Sequence, residues 1–99
     1  GAVPRRINRF VGETVLDVFT GHPSGYLAFL TIDGNDYTQL AGMTSWVVRV
    51  VVTNDLKSFE QVLEFPSDVR MTALAWWRDA LWFGTAEGQV LKSVGVGAR

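Results

Sequence analysis

Short apolar runs, separated by glycine, proline, asparagine and aspartate, make up most of the chain. Glu13–Phe19 carries apolar residues on both parities, Val15 and Phe19 on one, Leu16 and Val18 on the other. That pattern predicts a strand with few solvent positions. Residues 26–32 form the next run, rich in aromatic and β-branched types. Trp46–Thr53 is the strongest strand signal: a near-continuous valine run, interrupted only by Arg49, implies cover on both faces. Residues 58–65 carry polar positions, as an outer strand should. Met71–Trp77, Ala80–Thr85 and 89–94 complete the predicted strands, and residues 37–44 read as a loop or a weak strand. No apolar stripe at three- and four-residue spacing is long enough for more than a helical turn.

The breaks between runs have turn chemistry. Residues 20–25, with Gly21 and Pro23, form a loop that holds His22, the only histidine. With no second ligand or base near it in sequence, His22 reads as a turn residue. Asp33-Gly34-Asn35-Asp36 suits a tight turn. A calcium loop starting at Asp33 would place Tyr37 and Thr44 where oxygen ligands are needed, so that reading is rejected. Asn54-Asp55-Leu56-Lys57 and Arg78-Asp79 are turns, and Pro66-Ser67-Asp68 should end the strand before it. Ala86-Glu87-Gly88 fits a type I turn followed by a bulge with Gly88 left-handed.

Leu27-Ala28-Phe29-Leu30-Thr31-Ile32-Asp33-Gly34 is echoed by Leu81-Trp82-Phe83-Gly84-Thr85-Ala86-Glu87-Gly88. Leu, Phe, Thr, an acid and Gly recur at an offset of 54 residues. Residues 13–66 then make one four-stranded unit, and residues 71–95 repeat its first three strands. Four-stranded antiparallel sheets at this period are the pattern of β-propeller blades, packed between neighbours so that inner strands are apolar on both faces. The expected fold is all-β: a single unit over residues 1–99, built as about two propeller-like blades. The alternative is a small β-sandwich with residues 2–10 as an eighth strand. Two blades cannot close a ring, since propellers have about 4–8. An open unit would expose a flat apolar face, and at about 25 cal/mol per Å2 several hundred Å2 of it favours association.

Val50-Val51-Val52-Thr53-Asn54-Asp55-Leu56-Lys57-Ser58-Phe59-Glu60 resembles the strand–turn–strand unit of sialidase-like and five-bladed glycosidase propellers. Thr53, Asp55, Ser58 and Phe59 match that family's aspartate box, although its glycine is missing and the spacing is one residue short. Residues 76–92, with Gly-Thr-x-x-Gly, are similar to the inner hairpin of such blades. The resemblance implies a structural Asp55 that ties the turn's amides, and it carries over no catalytic residue.

Composition narrows the function. Apolar residues make up 47% of the chain, including four Trp and six Phe, enough for a core in a 99-residue chain. The formal net charge of −1 supplies no global field for nucleic acid or an anionic membrane. Arg5, Arg6 and Arg9 near the start lack interleaved aromatics and read as a solvated lead-in. The absence of cysteine excludes disulfides and thiolate metal sites. No run has the length of a membrane helix and none reads as a signal peptide, so the sequence points to a soluble protein of unassigned compartment. No phosphate loop, dinucleotide fingerprint, zinc spacing or nucleophile elbow is present, and no cofactor or metal is expected.

The expected function is that of a non-enzymatic structural or interaction module that assembles with itself or other chains to complete a propeller. Its partner is a second copy or the remainder of a longer chain. The alternative is a carbohydrate-binding or glycoside-processing propeller fragment. Candidate binding residues are Trp46 and Trp82, whose rings suit sugar stacking, with Asp17 and Arg49. Asp17 is a charge within an inner strand, either functional or paired with Arg49 or Arg70. At least three of the four tryptophans should serve the core.

Overall fold

β-Branched and aromatic side chains, which fit a pleated surface, set the strands. The computed structural model describes residues 9–33 and 46–93. Its strands are β1 (Glu13–Phe19), β2 (Leu27–Asp33), β3 (Trp46–Thr53), β4 (Glu60–Ser67), β5 (Met71–Trp77), β6 (Ala80–Thr85) and β7 (Val90–Ser93). They form two antiparallel meanders, a four-stranded sheet ordered β1-β2-β3-β4 and a three-stranded sheet ordered β5-β6-β7. The all-β expectation holds, and there is no helix among the described residues. The turn expected over residues 33–36 and the weak strand over 37–44 lie outside the described residues, apart from Asp33. So do the lead-in up to residue 8 and the tail from residue 94.

Strand ends differ from the sequence reading in one instructive place. Pro66 and Ser67 do not end β4 but continue it, with Pro66 opposite Val47 and Ser67 opposite Trp46. β4 is the outer strand of its sheet, paired on one side only among the described residues, where a proline's missing N–H is tolerated.

The core lies between the sheets. Ala28, Leu30 and Ile32 of β2 stand beside Val52, Val50 and Val48 of β3, and they pack on Leu74, Leu81 and Phe83 of the second sheet. Phe65 of β4 meets Phe83 edge-on at 5.7 Å between ring centroids. Leu30, Ile32, Val48, Val50 and Leu81 have no exposed surface. Truncating Leu30 to Ala should therefore cost about 2–5 kcal/mol. The sheets come closest along β1 and β5.

β1 departs from expectation. Val15 and Val18, read as part of a mostly buried strand, are 41% and 44% exposed. They sit on the face of the first sheet turned away from the second, on its edge strand β1, whereas further along the same face Phe10 and Phe59 pack on Phe29. β3 is close to expectation, with Val48, Val50, Val51 and Thr53 buried.

Both sheets carry a register shift in their first strand. In β1 it falls between Val15 and Asp17, opposite Thr31 and Leu30. In β5 it falls between Met71 and Ala73, opposite Thr85 and Gly84. Thr31 and Thr85 are both buried. Gly88 is left-handed at φ 85°. The Thr85 amide donates to Gln89 O, and the Gln89 amide donates to Thr85 Oγ1, as the bulged turn requires.

Candidate functional site

Four features could carry function: the joint between the sheets, a charged cluster on the first sheet, the open face of the second, and a cleft at one end.

The joint is made by Asp17. Its Oδ1 accepts the adjacent Val18 amide at 2.9 Å and its Oδ2 accepts the Leu74 amide at 2.8 Å. Leu74 lies on β5, which has no other strand on that side among the described residues, so the carboxylate satisfies an edge N–H that would otherwise need water. Asp17 is thus engaged with backbone donors, while Arg70 pairs with Glu87 at 2.9 Å.

Arg49 organises the outer face of the first sheet. Its guanidinium reaches Glu13 on β1 at 3.4 Å and Glu64 on β4 at 3.3 Å, and it pairs with Asp33 on β2 through both terminal nitrogens. Thr31 Oγ1 donates to the same Glu13 at 2.8 Å. The cross-strand register puts Arg49 between Thr31 and Glu64. The hydrogen bond that Arg49 donates to Asp33 is the main reason that Arg49 is held above its ordinary pKa. Burial opposes it, and the charges of Asp33, Glu64 and Glu13 add to it. A guanidinium fully occupied by carboxylates is a cross-strand clasp rather than an anion receptor.

The tryptophans divide between core and surface. Trp46 and Trp76 pack against the core. Trp77 is 55% exposed, and Trp82 is half-buried on the same open face, its indole N–H donating to Trp77 O at 3.0 Å. The rings meet at 5.7 Å, and Lys92 Nζ lies 5.5 Å from the Trp82 centroid. The expectation that at least three tryptophans serve the core is corrected to two. The other two lie on a face that no element among the described residues covers. Ala73, Ala75, Gly84 and Val90, the last 71% exposed, complete that face.

Trp46, Trp82, Asp17 and Arg49 therefore do not converge on one site. The structure instead places a cleft of about 440 Å3 at one end, lined by His22, Tyr26, Asn54, Ser58, Glu60 and Trp76 among others. His22 lies between Trp76, tilted by 56° with centroids 4.5 Å apart, and Tyr26, met edge-on at 5.6 Å. Sequence reading missed this grouping because its members come from three separate segments.

Beside the cleft, the 54–59 turn is tied by Asp55, whose Oδ1 accepts the Lys57 and Ser58 amides at 2.8 Å each. These bonds, Ser58's first, hold the Asp55 carboxyl below the usual carboxylate range. Thr53 Oγ1 donates to Ser58 O at 2.7 Å and accepts from the Leu56 amide at 3.0 Å. Leu56 takes the left-handed conformation, φ 60°, a position that suits glycine.

No group of three or more His, Asp or Glu side chains able to hold a metal occurs among the described residues. No helix among them is long and apolar enough to cross a membrane. No family model, curated protein or solved structure matches the chain.

Proposed function

We propose that the chain is an assembly module whose sheets stack head to tail, and that its open faces are covered by further copies of the same chain. The observation that carries this reading is a pair of positions that change environment between the sheets. Val15 lies opposite Thr31 and Val18 opposite Phe29; Met71 lies opposite Thr85 and Leu74 opposite Phe83. With Phe29 matched to Phe83 and Thr31 to Thr85, Val15 corresponds to Met71 and Val18 to Leu74. Met71 and Leu74 are core residues, 3% and 5% exposed, while Val15 and Val18 stand open to water.

The matched register has a second consequence. Ala28 and Leu30 face inward, but their counterparts Trp82 and Gly84 face outward; Leu81 and Phe83 face inward where Leu27 and Phe29 face outward. The first sheet therefore meets the second through opposite faces of one repeat, which is a heterologous contact. Such contacts continue until a ring closes. Propeller-like closure with about 4–8 sheets would take about two to four copies. The sandwich alternative leaves the exposure of Val15, Val18, Trp77 and Val90 without a purpose.

Light scattering on the purified chain tests this reading. A mass of about two to four chains is expected. Val18→Glu, on one open face, and Ala75→Glu, on the other, should each reduce it to that of a single chain, with the circular dichroism of the sheets retained. A wild-type chain that stays monomeric at high concentration contradicts the proposal.

A further inference from the structure

We infer that the cleft between the 20–26 loop, the 54–59 turn and the end of β5 binds a neutral hydroxylated ring, the chemistry of a single sugar unit. The inference does not rest on assembly, since the cleft opens at one end of the chain and not on either open face.

Three observations carry it. The first is size and wall. A volume of about 440 Å3 is within the range of small-ligand pockets, and Tyr26, His22 and Trp76, in mutual edge-on and tilted contact, give it an aromatic wall. Such a wall receives the apolar face that C–H bonds give a sugar ring. The second is uncommitted polar chemistry. Asn54, Ser58 and Glu60 line the cleft, and none of their side chains makes a hydrogen bond or ion pair among the described residues. In His22 the Nδ1 accepts the Ser24 amide at 3.0 Å, so the neutral ring carries its proton on Nε2 and is a donor there.

The third is the sign and mixture of these groups. Among the described residues no Lys or Arg lines the cleft while Glu60 does, so an anion is disfavoured. A cation would use acceptors only. Asn54 and Ser58 both donate and accept, His22 donates and Glu60 accepts. A hydroxyl also does both, so a ring of hydroxyls satisfies this set, whereas an ammonium would leave the donors without acceptors.

Calorimetry and tryptophan fluorescence with the methyl glycosides of glucose, galactose, mannose and N-acetylglucosamine test the inference, with choline as the cationic comparator. At least one glycoside should saturate with a Kd on the order of 1 mM, the strength a ligand of that size reaches. Glu60→Ala and Asn54→Ala, both at exposed turn or strand-end positions, should each weaken it about tenfold with an unchanged circular dichroism spectrum. Trp82→Phe, on the open face, should leave it unchanged. Absence of saturation by every glycoside up to about 50 mM, binding of choline alone, or full affinity in both cleft variants would overturn the inference.

Discussion

Asp55 and Asp17 show how much a single carboxylate's surroundings decide. Asp55 was legible as a turn residue because its partners, the Lys57 and Ser58 amides, are two and three positions away. Asp17 was legible only as an anomaly, because its second partner, the Leu74 amide, is 57 residues distant. Asp55 titrates below its ordinary value of 3.8 in the folded chain. Its contribution is therefore complete above the unfolded value and is lost as pH falls through the folded one. Thermal unfolding should show wild type ahead of Asp55→Asn at about pH 6, with the gap closing toward about pH 2. A gap independent of pH would contradict the role of the charge. In the β5–β6 hairpin, Arg78 and Asp79 are both left-handed, φ 52° and 60°, the geometry of a type I′ turn that favours glycine. Asp79→Gly should raise stability by about 0.5–1 kcal/mol in urea unfolding.

The strands were readable because period-two patterning and turn residues are local. Trp46–Thr53, Met71–Trp77 and Ala80–Thr85 have the bounds their sequence implies. What covers each face was not readable, because that depends on the partner sheet. Hence Val15, Val18, Trp77 and Trp82 are more open than their composition suggests. Two links hold the elements together. Removing the Asp17 carboxylate leaves the Leu74 amide on the β5 edge without its acceptor. Asp17→Ala should cost about 1–3 kcal/mol and speed hydrogen exchange at Leu74, while exchange at Leu30 in the middle of the first sheet changes less. Arg49→Ala leaves Glu13, Asp33 and Glu64 close together across β1, β2 and β4. The loss should be about 1 kcal/mol at low salt, discounted for partial exposure, and should narrow near 1 M salt.

At the scale of the whole molecule, Met71 and Leu74 are core positions of the second sheet whose counterparts Val15 and Val18 are exposed in the first, and the head-to-tail account explains both. If the contact between copies repeats the contact within one, its central pair follows from the joint. Asp17 meets Leu74 inside the chain; Ala73 corresponds to Asp17 and Val18 to Leu74. Ala73 of one copy should then lie beside Val18 of the next. The sequence contains no cysteine, so the pairing can be read by disulfide formation alone. Under mild oxidation, a mixture of Val18→Cys and Ala73→Cys chains should give a mixed disulfide dimer, while each variant by itself stays uncrosslinked. Rapid disulfide formation by Val18→Cys alone, with none in the mixture beyond it, would show a face meeting its own copy and would contradict head-to-tail stacking.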